Sequence, residues 1–165
     1  MKYVSKKMKS PVGRLTLIAS DKGLAAVLWE KDDPARVKVS AVEENDRHPV
    51  LIRAEKQLTE YFMGKRKHFD LDLDFVGTEF QKKVWAALLE IPFGETRSYG
   101  QLAKQVGNRN GARAVGAANG KNPISIVAPC HRVIGASGAL TGFAGGIHAK
   151  AHLLKHEGIK IAAKF

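Results

Sequence analysis

The 165-residue sequence predicts an α+β protein with two domains, a small sheet-and-helix domain over residues 1–76 and a mainly helical domain over residues 77–165. Three observations lead to this prediction. Several short segments of the first half alternate apolar with polar residues or are rich in strand-forming residues. After Gly77, apolar positions recur at helical spacing between glycine-bearing turns. The 44% of hydrophobic residues is enough to bury a core.

Three strands are predicted near the N-terminus, over residues 3–8, 14–20 and 24–29. Asp21-Lys22-Gly23 has the composition of a tight connection between the second strand and the third. Consecutive strands with short connections form a meander, so we expect these three to be neighbours in one sheet.

A helix and a fourth strand complete the predicted first domain. The segment from Pro49 to Met63 has apolar residues at helical spacing, and Gly64 follows as a stop signal. From Phe69 to Phe75, Phe and Leu alternate with Asp, which is the period of a strand. We expect this strand at or near the domain boundary.

Two helices of the second half begin with the same sequence pattern. Thr78 with Gln81, and Ser98 with Gln101, have the spacing of a capping box, in which a hydroxyl and an amide satisfy backbone donors at a helix start. The first of these helices should run towards Ile91-Pro92. The second should close at Gly107.

A third helix is predicted to open at Asn110-Gly111 and to end near Gly120, joined to the second through residues 107–110. Two short helices connected in this way are typical of a helix-turn-helix, although many helical hairpins bind nothing. The third helix is mostly Gly and Ala, so it can lie close to a neighbouring helix or to an external partner. Arg113 favours the second interpretation, because a charge is easily placed outward.

The charge of the chain favours a polyanionic partner. Lys and Arg number 27 against 16 Asp and Glu, a formal net charge of +11, so nucleic acid is the leading candidate and a generally basic surface the alternative. No apolar run approaches the ~20 residues of a membrane span, and no apolar signal core follows the basic N-terminus. A single cysteine fits a reducing compartment. We therefore expect a cytoplasmic protein without a membrane partner.

That single cysteine, Cys130, lies in Pro129-Cys130-His131-Arg132-Val133. The apolar segment 124–127 predicts a short strand-like piece that stops at the proline and presents a fixed side chain. A lone cysteine is most often a small buried hydrophobe. Here a histidine and an arginine follow directly, and neighbouring cations stabilise the thiolate of a group whose ordinary pKa is about 8.5.

The Cys130 segment resembles the active-site signature of the O6-alkylguanine-DNA alkyltransferases. Further segments match that family in the same order, namely Gly77-Thr78-Glu79-Phe80-Gln81, Ile91-Pro92-Phe93-Gly94-Glu95-Thr96, Ser98-Tyr99, Arg113-Ala114-Val115-Gly116, Asn122-Pro123 and His156-Glu157-Gly158. The similarity is dense from Gly77 to Gly158 and loose before it. In the first domain it implies a fold of ribonuclease-H-like type.

The resemblance implies DNA repair by irreversible transfer of an alkyl (methyl) group from O6-alkylguanine in duplex DNA to Cys130, with O4-alkylthymine as a further candidate substrate. Cys130 attacks as the thiolate, His131 accepts its proton through a water, and Glu157 orients the imidazole. Because no second cysteine is present, one protein should repair one base. No cofactor is implied. We expect a monomer in solution, with cooperative binding on DNA left open.

The resemblance also implies roles around this centre. Asn122 braces the active-site turn, and Tyr99 donates its hydroxyl to the flipped guanine. Arg113 enters the base stack from the minor groove, and Ala112, Ala114 and Gly116 let its helix approach the DNA backbone.

The base pocket implied by the resemblance is lined by Val133 and by the glycine-containing loop 137–146. In that loop Phe143 and Ala144 stand where Tyr and Ser often occur in the mammalian pattern. Ala144 offers only backbone donors to a substrate, so its part in hydrogen bonding and the width of the pocket for bulky alkyl groups stay open.

Two other functions compete with alkyl transfer. A cysteine hydrolase would use Cys130, His131 and Glu157 through an acyl-enzyme, but it explains neither the helix-turn-helix nor the positive charge. A non-catalytic lesion binder would not need Cys130. His148, His152 and His156 recur every four residues on a predicted helix, yet no cysteine or carboxylate cluster completes a metal site, and none is predicted.

Overall fold

The structure, a computed structural model, describes residues 3–39, 42–107 and 111–161. The chain divides into two compact units, Met1–Val76 and Gly77–Phe165. The first contains a sheet and one long helix and the second is mainly helical, which confirms the predicted α+β class. Across the described ranges, no helix is both long and apolar enough to cross a membrane.

The first unit is built on a four-stranded sheet. The predicted meander is confirmed: β1 (Tyr3–Met8), β2 (Leu15–Ser20) and β3 (Gly23–Leu28) pair antiparallel in succession. β4 (Val42–Glu44) pairs parallel with β1 and was not predicted. A strand of three residues is too short for its alternation to be recognised in a sequence.

The long helix of this unit, α1 (Pro49–Phe62), contacts β1, β2 and β3. Its inward stripe contains four side chains with no exposed area, Leu51, Ala54, Leu58 and Tyr61. Proline at the first position supplies a preset helical φ where no hydrogen-bond donor is needed. The helix therefore covers the sheet and forms the core of the first unit with it.

The predicted strand over residues 69–75 is wrong in extent, because it forms only a single bridge between Leu73 and Leu24. The Gln57 side chain of α1 bonds both backbone groups of Asp70, its amide donating to the carbonyl at 2.9 Å and its oxygen accepting from the N–H at 2.8 Å. Those groups cannot also join a strand ladder. The segment approaches Gly23 so closely that a Cβ there would lie 2.4 Å from the carbonyl oxygen of Asp72.

In the second unit, α2 (Glu79–Leu88) and α3 (Tyr99–Gln105) both begin at the predicted capping boxes, which are confirmed. α4 (Ala112–Gly120) follows Gly111, whose φ of 79° suits a glycine. α3 contacts α4, and α2 contacts both. Residues 108–110 of the predicted turn lie outside the described residues.

A small framework of short elements holds the cysteine segment. Cys130–Arg132 form a 3₁₀ turn, and the short strands β5 (Arg97–Ser98) and β6 (Val133–Ile134) pair in parallel. The last described helix, α5 (Ile147–His156), contacts the 3₁₀ turn. The cysteine is thus enclosed by elements that lie far apart in the sequence.

Candidate active site

The residues before Cys130 form tight turns, so the predicted strand-like piece over residues 124–127 is wrong. Ile126 has a φ of 72°, which is rare for a β-branched residue. The N–H of Val127 donates to the carbonyl of Ser125 at 2.8 Å and closes a three-residue γ-turn around it. All residues from 122 to 130 are buried. The segment is apolar because it is buried. Buried turns and buried strands have the same apolar composition, so the sequence does not distinguish them.

A second turn of the same size presents Cys130. Pro129 has φ −80° and ψ 66°, the angles of an inverse γ-turn, and the N–H of Cys130 donates to the carbonyl of Ala128 at 2.7 Å. The cysteine is 5% exposed. Its thiol is therefore held at a fixed place, with little of the residue exposed.

Two asparagines hold this turn from within. The Asn122 amide donates to the carbonyl of Ala128 at 2.8 Å, and its oxygen accepts from the N–H of Ile124 at 3.1 Å. Asn119 of α4 donates to the carbonyl of Cys130 at 3.4 Å. Sequence reasoning did not single out Asn119, although it is a polar residue on a helix made largely of Gly and Ala.

We expect Asn122→Ala to lower the free energy of unfolding by about 2–3 kcal/mol, because a buried carbonyl and a buried N–H lose their partner. Equilibrium urea unfolding measures this. Asn45→Ala, which removes an exposed turn contact to the N–H of Arg47 in the first unit, should change the free energy by less than about 0.5 kcal/mol. Equal losses for the two variants would contradict the bracing role.

His131, Arg132 and Glu157 form a buried network. His131 Nε2 lies 2.7 Å from Glu157 Oε2, and the Arg132 guanidinium donates to the same carboxylate through Nε at 2.7 Å and Nη2 at 3.1 Å. Arg132 Nη1 donates to the carbonyl of Ile91 at 2.6 Å. Glu157, the C-cap of α5, has no exposed side-chain area.

The protonation states of this network follow from burial and from its charges. Burial lowers the pKa of His131, against the opposing effect of Glu157, so the imidazole is neutral at rest. Burial acts to raise the pKa of Glu157, but the hydrogen bonds and charges of His131 and Arg132 outweigh it and hold that pKa well below its usual range. A neutral imidazole facing a carboxylate carries its proton on Nε2.

The other ring nitrogen of His131 is then an acceptor. Nδ1 is buried and has no hydrogen-bond partner among the described residues. It belongs to the residue directly after Cys130. An imidazole fixed on one side by a carboxylate, with a lone pair on the other, is the arrangement of a general base.

The expectation that Arg132 supplies positive charge to the thiol is wrong. The Arg132 guanidinium instead forms a bidentate ion pair with the carboxylate of Glu157, which compensates its charge. A second buried cation, Lys150 of α5, reaches the residues after the 3₁₀ turn, where its Nζ donates to the carbonyl of Val133 at 2.6 Å, and sequence reasoning missed it. Lys150 has no exposed area. A signal was present: Ile147, Lys150, Ala151 and Leu154 share one helix face, so the lysine occupies a position of the apolar stripe.

The residues expected to line a base pocket come from three elements. Val133 begins β6, Tyr99 begins α3, and the Tyr99 hydroxyl is hydrogen-bonded to that of Thr141 in the loop 137–146. Phe143 lies with its ring centroid 5.9 Å from Lys150 Nζ, and Ala144 is half-buried beside it in the chain. Thr141 was not predicted as a pocket residue. It supplies a side-chain hydroxyl to this region, whereas Ala144 has none.

α4 has an open face and a packed face. Arg113 and Ala112 are exposed, and Ala114 is half-buried. A Cβ at Gly116 would lie 3.6 Å from the Tyr99 ring, so this glycine lies in contact with α3. The small residues of α4 therefore serve helix packing at Gly116, while the arginine faces outward.

The histidines of α5 do not gather into a site. His148 and His152 are exposed and His156 is half-buried. Within residues 3–39, 42–107 and 111–161, no three His, Cys, Asp or Glu side chains lie close enough together to hold a metal ion.

Comparison with known proteins identifies the family. Residues 79–159 match the family described as 6-O-methylguanine DNA methyltransferase, DNA binding domain, and residues 3–75 match its ribonuclease-like domain. The chain is 49% identical over 150 residues to the methylated-DNA–protein-cysteine methyltransferase of Methanosarcina acetivorans, covering 91% of this chain and 95% of the relative. The corresponding protein of Mycolicibacterium paratuberculosis is 50% identical over 150 residues, covering 90% of this chain and 88% of the relative.

A solved structure agrees with these matches. The crystal structure of Mycobacterium tuberculosis OGT in complex with DNA superposes with a TM-score of 0.86 at 46% identity, covering 94% of this chain and 93% of that one. The resemblance inferred from the Cys130 motif and its flanking segments is confirmed by both domains. The chain belongs to the 6-O-methylguanine DNA methyltransferase family.

Proposed function

We propose that this chain repairs DNA by moving the alkyl group of O6-alkylguanine onto Cys130 in a single irreversible step. The observation that carries the assignment is the neighbouring base: His131 is held through Nε2 by Glu157, and its Nδ1 has no partner among the described residues. A thiol beside such a base becomes a thiolate nucleophile.

The protons and electron pairs of the transfer balance between Cys130, His131 and the substrate base, with a water passing the thiol proton to His131. His131 accepts the thiol proton, and Glu157 stabilises the imidazolium that forms. The sulfur attacks the alkyl carbon, an S–C bond forms, and the C–O6 bond breaks with its electron pair passing to the guanine. The guanine takes up one proton, equivalent to the proton that the thiol gave up, so His131 returns to its neutral state. The product thioether has no easy leaving group, and the chain contains no other cysteine to remove it. The reaction therefore ends with the protein modified.

The base reaches Cys130 outside the helix stack, because an alkylated O6 inside a duplex is inaccessible to in-line attack. We place the flipped guanine beside Val133, with the loop around Phe143 and Ala144 on its other side. The hydroxyls of Tyr99 and Thr141, which are hydrogen-bonded to each other, can serve as donors to the leaving base. This chemistry uses no cofactor.

We assign DNA binding to the second unit, with α4 against the duplex. Arg113 is exposed on that helix, and the net charge of +11 suits a polyanion. The M. tuberculosis relative was crystallised in complex with DNA, which supports the assignment. We place the protein in the cytoplasm because a thiol nucleophile needs a reducing compartment.

The assignment is tested by incubating the protein with an oligonucleotide that carries O6-methylguanine and measuring intact mass. We expect a gain of one methyl group per chain, located on Cys130 by peptide mapping. Repaired DNA with unmodified protein would instead indicate a hydrolase that turns over. DNA bound but left unrepaired would indicate a lesion binder.

Arg113→Ala should slow reaction with duplex substrate by about tenfold while changing reaction with the O6-alkylguanine base by less than about twofold, because only the duplex requires extrusion of the nucleotide. Single-turnover rates on the two substrates measure the difference. Lys121→Ala removes another exposed cation at the end of the same helix and is the matched control. Equal losses on both substrates would exclude Arg113 from base flipping.

A further inference from the structure

The aromatic ring of Tyr99 is held between two helices. Tyr99 is the first residue of α3 and is half-buried, and a Cβ added at Gly116 of α4 would lie 3.6 Å from its Cδ1 atom. A phenol whose ring is packed in this way keeps one freedom, the rotation of its O–H about the C–O bond. The direction of that O–H decides whether the hydroxyl can donate to a base in the pocket.

The side chain that faces this hydroxyl is Thr141, in the loop 137–146. The two hydroxyl oxygens are hydrogen-bonded at 2.5 Å, and each hydroxyl can donate or accept. The oxygen of Thr141 also accepts from Lys150 Nζ at 3.5 Å. Among the described residues, these two are the only hydrogen-bond partners of the Thr141 side chain. An ammonium group only donates, so the Lys150 bond has a fixed direction.

This fixed direction decides which of the two hydroxyls donates to the other. If Tyr99 donated to Thr141, the proton of Thr141 would have no acceptor among the described residues. If Thr141 donates to Tyr99, each oxygen accepts one bond and the O–H of Tyr99 stays available. The second arrangement is also the cooperative one, because a hydroxyl that accepts from a cation becomes a stronger donor.

We propose that Thr141 is a positioning residue for alkyl transfer, whose hydroxyl donates to the Tyr99 oxygen and so directs the O–H of Tyr99 towards the flipped guanine. This inference rests on the proposed function, in which Tyr99 donates to the leaving base. When the C–O6 bond breaks, its electron pair passes to the guanine. A donor that is already aimed stabilises the charge that develops there. Thr141 acts through Tyr99 and does not touch the base.

Thr141→Val tests the proposal, because it keeps the shape of the side chain and removes its hydroxyl. We expect the single-turnover rate on O6-methylguanine DNA to fall about fivefold. Thr141→Ser, which keeps the hydroxyl, should stay within about twofold of the wild type. Thr16→Val changes a half-buried threonine of β2 in the first unit and is the matched control, for which we expect no loss of rate.

A double-mutant cycle with Tyr99→Phe separates positioning from a merely structural role. Tyr99→Phe removes the hydroxyl through which Thr141 acts, so adding Thr141→Val to it should slow the reaction by less than about twofold. A loss of about fivefold in both backgrounds would show that Thr141 acts without Tyr99. Either that result or an unchanged rate in Thr141→Val alone would overturn the proposal. If Thr141→Val proves unstable, Thr141→Ala is taken through the same cycle.

Iodoacetamide modification at pH 7 reports the thiol without the base, and it reports Cys130 alone because the chain has one cysteine. Its rate in Thr141→Val should stay within about twofold of the wild type. A fall equal to the loss of alkyl transfer would place the effect at Cys130 and contradict the proposal. A wild type that transfers no methyl group would instead refute the proposed function, and the role of Thr141 with it.

Discussion

We expect Cys130→Ser to lose alkyl transfer while the protein stays folded and binds DNA. Serine has nearly the shape of cysteine, so a site that is 5% exposed accommodates it without a cavity. Its hydroxyl loses a proton far less readily than a thiol, and its oxygen is a weaker nucleophile than sulfur. We expect the single-turnover rate on O6-methylguanine DNA to fall by roughly 10³-fold or more. Circular dichroism and duplex binding should match the wild type.

The stoichiometry of the wild type sharpens this expectation. With substrate in excess, repaired base should plateau at one per chain, and a second addition of substrate should yield nothing further. Cys130→Ala should behave as Cys130→Ser does. Repair that continues in either variant, or a wild type that passes beyond one base per chain, would mean that the alkyl group goes elsewhere than Cys130.

The features that a sequence can reveal here are those made by neighbours in the chain. Thr78 with Gln81 and Ser98 with Gln101 cap their helices through contacts three residues apart, and the spacing alone predicts them. The pairing of Cys130 with the adjacent His131 can likewise be recognised from the sequence alone. The meander of the first unit follows from short connections between strands, which bring consecutive segments together.

The features that escaped prediction depend on contacts between distant segments. The segment 69–75 has the alternation of a strand, but Gln57 on α1 takes the backbone groups of Asp70. The γ-turn at Ile126 puts a β-branched residue at positive φ, against its local preference, where buried surroundings hold it. Such a position is recognised only once the packing is known.

Charges around the site illustrate the same limit. Arg132 follows His131 in the sequence and so was expected to supply a cation, whereas the fold turns its guanidinium towards Glu157, 25 residues away. Lys150, 17 residues beyond Val133, reaches that residue's carbonyl instead. Proximity in the chain gives the identity of the charged residues, and tertiary contacts decide which of them pairs with a carboxylate.

Glu157→Gln should lower the free energy of unfolding by about 3–5 kcal/mol, because it leaves the Arg132 guanidinium buried without its counter-charge. It should also slow alkyl transfer on the order of 10²-fold, since a neutral amide does not stabilise the imidazolium of His131. Denaturant unfolding and single-turnover rates measure the two effects. Glu95→Gln, which removes an exposed ion pair with Arg97 at 3.2 Å, should cost about 0–1 kcal/mol.

The pH dependence of stability should identify the same carboxylate. The pKa of Glu157 is lower in the folded protein than its ordinary value of 4.5, so the folded state binds fewer protons and the contribution is full above that pH. It is lost as the pH falls below 4.5, towards the folded pKa. The wild type should therefore lose stability in acid more steeply than Glu157→Gln, and parallel curves would argue against an ionised Glu157.

A double variant separates the structural role of Glu157 from its chemical one. Arg132→Met removes the cation that Glu157→Gln leaves without a counter-charge, so Arg132→Met/Glu157→Gln should recover much of the lost stability. The rate of alkyl transfer should stay low, because His131 still lacks a carboxylate. If the rate recovers together with the stability, Glu157 acts only by holding the fold. If the rate alone stays low, the carboxylate acts on the proton transfer from Cys130 to His131.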